Sequence, residues 1–125
     1  MGDYTYSRKA RIWVRIWVAE KDVAKYFEAL GVVFYKIARE PECTLFEVYQ
    51  SQENKGEILV LKNWNASKEW VVNVAMKRPY LDEYHDIVEP LFIKPKEVII
   101  ADRKAGKFSV VKTNNGQIWP ADGHE

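Results

Sequence analysis

The chain has 125 residues, 47% of them hydrophobic and 30% charged, and its 19 basic and 18 acidic residues leave a formal net charge of +1. These are the proportions of one folded domain with a real core, not of a disordered chain. So balanced a charge exerts no long-range pull on phosphate backbones or anionic membranes, which argues against a dedicated nucleic-acid binder.

The first ten residues, MGDYTYSRKA, lack the apolar core of a signal peptide, and no run in the chain approaches the ~20 apolar residues of a membrane span. A cytoplasmic protein without a membrane partner is the expectation. Cys43 is the single cysteine, so an internal disulfide and a thiolate metal cluster are both excluded. The unusual feature is aromatic content, with five Trp, seven Tyr and five Phe. Dimer interfaces and pockets for planar ligands both favour such residues.

Residues 1–10 read as a flexible N-terminal arm, residues 11–104 as the folded domain, and residues 105–125 as an extra strand and tail. From Arg11 the chain alternates strictly. Ile12, Val14, Ile16 and Val18 form an aliphatic face, and Arg11, Trp13, Arg15 and Trp17 form the other. A solvent-facing strand has no use for two tryptophans there, so a second subunit is expected to cover the Arg/Trp stripe, with guanidinium–indole stacking assisting. Helical spacing follows from Glu20 to Glu40, with Val23, Phe27, Leu30, Phe34 and Ile37 as the stripe and Tyr26 and Val33 widening it. Asp22 is placed to cap this helix, Gly31 suggests close packing against the sheet, and Pro41 ends it.

Two strands come next, residues 43–50 and 57–64, joined by the turn-rich SQENKG. Ser67 is positioned to cap a helix that Pro79 breaks and restarts and that Pro90 closes. Its second part places Tyr80, Tyr84, Ile87, Val88 and Leu91 on one side. Residues 94–103 read as the fourth core strand, and residues 105–112 as a hairpin partner after a turn at Gly106. Trp119, in the turn-rich tail, is available to pack on the body or on a partner. The order β-α-β-β-α-β predicts an α+β fold, the ferredoxin-like split β-α-β antiparallel sheet with both helices on one face. The face without helices is then free to pair with a copy of itself.

The segments AREPECTLFEVYQ, LVLKNWNASKEW and KRPYLDEYHDIVEPLF resemble the antibiotic-biosynthesis-monooxygenase-like (ABM) family over roughly residues 11 to 104, in what looks like a fungal branch. That family's pattern is a helix ending in Glu-Pro-Gly-Cys, then a strand, then a strand ending in Glu-x-Trp followed by Ser and a helix. Glu40, Pro41, Cys43, Trp64 and Ser67 match it, Glu42 replaces the glycine, and Lys62 stands where the glutamate is usual. The resemblance implies a dimeric α/β barrel, a homodimer in which each subunit keeps its own pocket between sheet and helices. It also implies relatives that oxygenate anthrones or quinols without a cofactor, relatives that degrade haem, and related cyclases, isomerases and dehydratases. In the anthrone oxygenases an asparagine lies four residues before the matched tryptophan and a tyrosine six after it. Val60 and Trp70 stand there instead, and Arg78 is the candidate for the arginine expected on the second helix.

No G-x-G-x-x-G and no P-loop is present, and two histidines, His85 and His124, with His124 in the tail, do not make the two-His-one-carboxylate set of a non-haem iron site. Haem degraders carry an asparagine on the first strand, which residues 12–18 lack. An RNA-binding version of this topology needs a K/R-G-F/Y-G/A-F-V strand, and Glu57, Ile58 and Leu59 depart from that pattern. No cofactor and no metal are therefore expected. Cofactor-free oxygenation of an electron-rich aromatic needs a dry aromatic pocket, a base, and donors for a developing oxyanion. His85 is the candidate base, because its unperturbed pKa lies near neutrality. Tyr84 and Tyr80 are the candidate donors that complete the catalytic set, while Trp64, Trp70, Asn73 and Arg78 are candidates for holding an aromatic small-molecule substrate. The expected activity is monooxygenation of an aromatic polyketide, anthrone or quinol in secondary metabolism. The alternatives are a cofactor-free cyclase, isomerase or dehydratase, and a dimer that only binds a hydrophobic small molecule.

Overall fold

A computed structural model describes residues 9–104, 107–112 and 118–120, with residues 111, 112 and 118–120 described by backbone alone. Expectations placed on residues 1–8, on the Gly106 turn, on His124 and on the Trp119 side chain lie outside what is described. Strands β1 (Ala10–Trp17), β2 (Cys43–Gln50), β3 (Glu57–Trp64) and β4 (Glu97–Asp102) form one antiparallel sheet in the order β2-β3-β1-β4. It is an open sheet of the ferredoxin-like α+β type, with the two longest strand pairings made by its central strands β1 and β3.

The register fixes what each face carries. Val14 lies opposite Val60 and Val98, and Ile12 opposite Lys62 and Ile100, so these share the face that the helices cover. Trp13 lies opposite Leu61 and Ile99, and Arg11 opposite Asn63 and Ala101, on the other face. The alternation read in β1 is therefore real, because side chains in a strand switch faces at every residue. Its outer stripe behaves differently from the expectation at one position. Trp17 is only 7% exposed within the single chain, with Lys94 Nζ 4.0 Å from its ring centroid and Arg15 at 5.3 Å. The chain's own cations cover that indole, so it needs no second subunit to do so.

Helix α1 (Val23–Ala38) follows a 3-10 turn at Glu20–Asp22. Its buried residues are Tyr26, Ala29, Leu30, Val33 and Ile37, while Phe27 and Phe34 are half-buried flanks. The core-facing stripe is thus rotated from the one read in the sequence, with Tyr26 and Val33 at its centre. Phe34 stays at the edge because its ring stacks on Phe46 of the edge strand β2, 4.4 Å between centroids. Asp22 makes no capping hydrogen bond through its side chain. Gly31 is exposed and an added Cβ would meet nothing, so it answers to no close packing.

Gly56 is the glycine that the fold requires. Val18 N donates to Gly56 O at 2.9 Å where β1 ends, and a Cβ on Gly56 would collide with the Val18 carbonyl oxygen. The same end of β1 receives the returning chain, with Ile93 N donating to Trp17 O at 2.8 Å.

The second helical stretch is broken as its prolines require. Helix α2 (Lys68–Asn73) is capped by Ser67, whose Oγ accepts from Trp70 N at 3.1 Å. A 3-10 turn at Ala75–Lys77 leads to Arg78, which is extended (φ −60°, ψ 132°), the conformation favoured before a proline. Pro79 opens a further 3-10 turn, Pro79–Leu81, which runs into helix α3 (Asp82–Val88), and Pro90 lies in a last turn at Glu89–Leu91. Strand β4 begins at Glu97, three residues after the expected start, which leaves Lys94 and Lys96 outside the ladder. The expected hairpin partner is the short strand β5 (Val110–Lys112), and it pairs with β6 (Ile118–Pro120), not with β4. Ile12, Ile16, Val18, Ile58 and Trp64 from the strands meet Tyr26, Leu30, Val33, Val71, Leu81 and Val88 from the helices in one continuous core.

Candidate active site

Between the inner sheet face and the turn and helix after Pro79 lies a cavity of about 80 Å³. The sheet contributes Val14, Val60, Lys62 and Trp64 to its wall, and Leu81, Tyr84, His85 and Val88 face them from the helical side. Exposed Lys96, on the loop before β4, carries the lining out to solvent. Most of this wall is aliphatic or aromatic, which suits a planar apolar ligand.

The position of His85 follows from the proline break. Pro79 restarts the chain so that α3 lies along α1 with Tyr84 and His85 turned to the cavity. His85 is half-buried, 5.3 Å from the Tyr84 ring, and its Nδ1 is 3.8 Å from Glu89 Oε2. Burial is the main cause that lowers its pKa, with Lys96 adding to it, so at neutral pH the ring is the neutral form a general base requires.

The Tyr84 hydroxyl shares a 2.8 Å hydrogen bond with that of Tyr26, which is 1% exposed. Whichever hydroxyl donates, the other keeps a proton to give. Burial pushes both phenols up, so the pair remains neutral and donating. Trp64, 3% exposed, has a buried indole N–H with no partner among the described residues. A buried indole N–H ordinarily finds an acceptor, and the residue that carries this unmet one lines the cavity.

Of the seven residues singled out in the sequence, the structure brings His85, Tyr84, Tyr80 and Trp64 to this cavity. The other three lie outside its lining. Arg78 is committed to Glu40, with Nε to Oε2 at 2.9 Å and Nη2 to Oε1 at 3.0 Å. Tyr80 also donates to Glu40 Oε2, at 2.8 Å, so its hydroxyl is occupied although its ring reaches the cavity. Burial and this carboxylate together hold the Tyr80 phenol well above its ordinary range. Glu40, whose side chain is 9% exposed, thereby ties the end of α1 to the break at Pro79. Trp70 packs against Trp64 (6.0 Å between centroids) and beneath the Arg78 guanidinium (5.9 Å). Asn73 is exposed at the end of α2.

Three titratable cavity residues were not singled out, Tyr26, Lys62 and Lys96, the last of which reads in the sequence only as part of the fourth strand. Tyr26 was read only as a widening of the helical stripe. Lys62 was read only as a replacement for a glutamate, yet it lies on the inner face with its Nζ 5.7 Å from the Phe46 ring centroid. Burial, reinforced by Lys96, lowers its pKa to about 8. The signal was present in the alternation of EILVLKNW, which puts Lys62 on the face of Ile58, Val60 and Trp64. Burial also pushes the Cys43 thiol up, which makes it a poor nucleophile. Among the described residues, no three His, Cys, Asp or Glu side chains are grouped to hold a metal ion. Nor is any described helix long and apolar enough to cross a membrane.

No protein-family model matches the chain. It is similar to a protein of the fungus Pestalotiopsis microspora named "Putative monooxygenase", at 27% identity over 95 residues, which is 76% of this chain and 79% of that one. The fold is that of the ABM proteins of known structure. A "Putative antibiotic biosynthesis monooxygenase" from Nitrosomonas europaea superposes with a TM-score of 0.71 at 15% identity, over 78% of this chain and 92% of that one. A conserved protein from Methanosarcina mazei also gives a TM-score of 0.71, at 17% identity over 81% of this chain and 98% of that one.

Proposed function

We propose that this chain is a cofactor-independent monooxygenase-like enzyme that oxidises an electron-rich aromatic, a quinol or the phenolic ring of an anthrone-type polyketide. The observation that carries the reading is the placement of neutral His85 beside the Tyr84–Tyr26 pair on the wall of an apolar cavity. The similarity to the fungal protein named as a monooxygenase supports the same class.

His85 takes the proton from the substrate's acidic C–H or O–H. The resulting carbanion or phenolate passes one electron to dioxygen, and the radical pair combines to form a carbon–oxygen bond. The hydroperoxide then breaks its O–O bond, leaving one oxygen as the new carbonyl. The other departs as water, using the proton held by His85 and one from the substrate carbon. The Tyr84–Tyr26 pair and Trp64 Nε1 supply donors for the oxyanion that develops. A dry wall keeps the radical pair together and excludes competing water.

The cavity is smaller than the about 150 Å³ that holds a benzene ring in a protein interior. A ring therefore binds with part of it in the open mouth or with a lining side chain displaced. Met76, unbranched and half-buried, is the lining residue best suited to yield. The volume favours a one-ring quinol over a tricyclic anthrone as the docked portion. The assignment to secondary metabolism, and to the cytoplasm, belongs to the same proposal.

A homodimer is the assembly we propose, formed through the outer sheet face. Trp13, Leu59 and Ile99 line a groove there, and Ile99 is 59% exposed. Paired copies would cover this apolar stripe.

Oxygen uptake by the purified protein with a quinol or anthrone is the deciding measurement. Stoichiometric consumption with a carbonyl gained in the product is expected, and His85→Ala lowers the rate by about 10²-fold or more. Turnover to an isomerised or dehydrated product without uptake replaces this reading by acid–base catalysis from the same His85 and Tyr84. No turnover at all leaves a binding protein.

A further inference from the structure

Lys62 introduces a charge that the apolar cavity does not neutralise. It is half-buried, and among the described residues no hydrogen bond or ion pair joins it to a carboxylate. Its neighbours are the Phe46 ring, a weak electrostatic contact at 5.7 Å, and the Cys43 thiol, which burial keeps protonated and so without a formal charge to offer. Every other titratable side chain on the wall is neutral or basic. The lining holds Lys62, Lys96, His85 and three tyrosines, and neither aspartate nor glutamate. Glu40, the nearby buried carboxylate, is saturated by Arg78 and Tyr80. Withdrawing even part of an ammonium from water without an anion to meet it is unfavourable. Such a group, held in place by the strand's register, awaits a negative partner. A second unmet group points the same way, since the buried Trp64 N–H two residues further along the same face also has no acceptor among the described residues.

We propose that the cavity selects a one-ring aromatic ligand that carries an oxyanion, with the oxyanion held by Lys62 and Trp64 Nε1 and the ring against Val14, Val60 and Leu81. This rests on the reading of the cavity as the substrate site and names the substrate class it takes. A phenolate and an aromatic carboxylate present the same oxyanion to the ammonium. Lys96, at the exposed edge, adds positive potential along the way in. For the oxygenation chemistry this preference has a direct use, since it holds an ionised phenol in the form that can release an electron.

The test measures binding without turnover. The probes are 4-nitrophenol, whose phenolate is read by its visible absorbance, and its neutral methyl ether. The wild-type protein is expected to bind the phenolate at least about tenfold more tightly than the ether, and to shift the phenol's ionisation toward lower pH. Lys62→Met, close to isosteric, should abolish the preference and the shift while still binding the ether, which shows that the pocket is intact. Lys62→Arg should keep much of the preference. Competition by benzoate extends the site to carboxylates, and a phenolate that benzoate fails to displace confines it to phenols. Equal affinity for phenolate and ether, or an unchanged preference in Lys62→Met, overturns the proposal. The two readings fail separately. Phenolate selectivity without oxygen uptake removes the oxygenase and leaves the oxyanion site, whereas uptake undiminished in Lys62→Met, with no selectivity, does the reverse.

Discussion

Lys62 and Asn63 are neighbours in β3 that point to opposite faces of the sheet, and each is a polar group in a place where polarity is costly. Lys62, on the inner face, lines a cavity and has room for a partner to enter. Asn63, on the outer face, is 6% exposed, and neither side-chain amide atom has a hydrogen-bond partner among the described residues. The contrast shows that burial alone does not mark a functional residue. What separates the two is access, because an unmet group beside a cavity can be satisfied by a ligand, and one without a cavity needs a second copy or carries its cost permanently.

The largest effect expected from the difference between the faces is on stability. Ile58, fully buried on the inner face, and Leu59, half-buried on the outer one, are adjacent. Ile58→Ala should cost about 2–5 kcal/mol in chemical denaturation, and Leu59→Ala about 1 kcal/mol. Equal losses would mean that the outer face is as fully packed as the inner. Assembly comes next. Ile99→Arg should leave the fold intact and halve the mass seen by light scattering, while a retained dimer would move the interface elsewhere. Trp17→Arg is a poor probe of the same surface, since that indole is already covered within its own chain and its loss damages the fold as well.

The inner face should also show itself in the pH dependence of stability. Lys62 releases its proton at about 8 when folded against 10.5 when unfolded. Between those values the unfolded chain binds more protons, so the Lys62 contribution to stability rises with pH. Above about 10 the buried Tyr26 opposes it, because the unfolded phenol ionises while the folded one stays neutral. The Cys43 thiol, also pushed up by burial, opposes it already from about 9, so denaturation midpoints should climb from pH 8 toward 9 and fall beyond 10, and Lys62→Met should flatten the climb. On the acid side, His85 takes its proton more readily when unfolded, so stability declines as pH falls below 6.5.

The smallest effects belong to sites without partners. Asn63→Leu should raise stability by about 1 kcal/mol in the monomer, because an unpaired buried amide is replaced by an apolar side chain of similar size. A loss that appears only at dimer-forming concentrations would show that a second copy pairs the amide. Gly31→Ala should add about 1 kcal/mol, since the position is helical, exposed and open.

Much of the architecture was legible because its determinants are local. The two-residue period of β1, the cap at Ser67 and the breaks at Pro79 and Pro90 act within a few residues, and the elements appear where those signals stand. The helical stripe of α1 was legible in Leu30 and Ile37, and only its centre differs from the expectation. Helical spacing admits two overlapping faces, and the choice between Phe27/Phe34 and Tyr26/Val33 was made by the sheet beneath. The cavity was legible only in part. His85 and Tyr84 were readable as polar aromatic residues on one helix, but the commitment of Arg78 and Tyr80 to Glu40 joins residues 38 and 40 positions apart in the chain.

By itself, then, the sequence determined the order of elements, the two faces of the sheet and the broken second helix, because period and backbone chemistry are written residue by residue. Only the tertiary structure decided which of its polar groups are spent and which are free. Glu40 saturates Arg78 and Tyr80, Tyr26 meets Tyr84 across 58 positions, and Lys62 is left facing the cavity with no carboxylate. Those outcomes depend on distances between elements far apart in the chain, and such distances exist only once the helices have packed on the sheet.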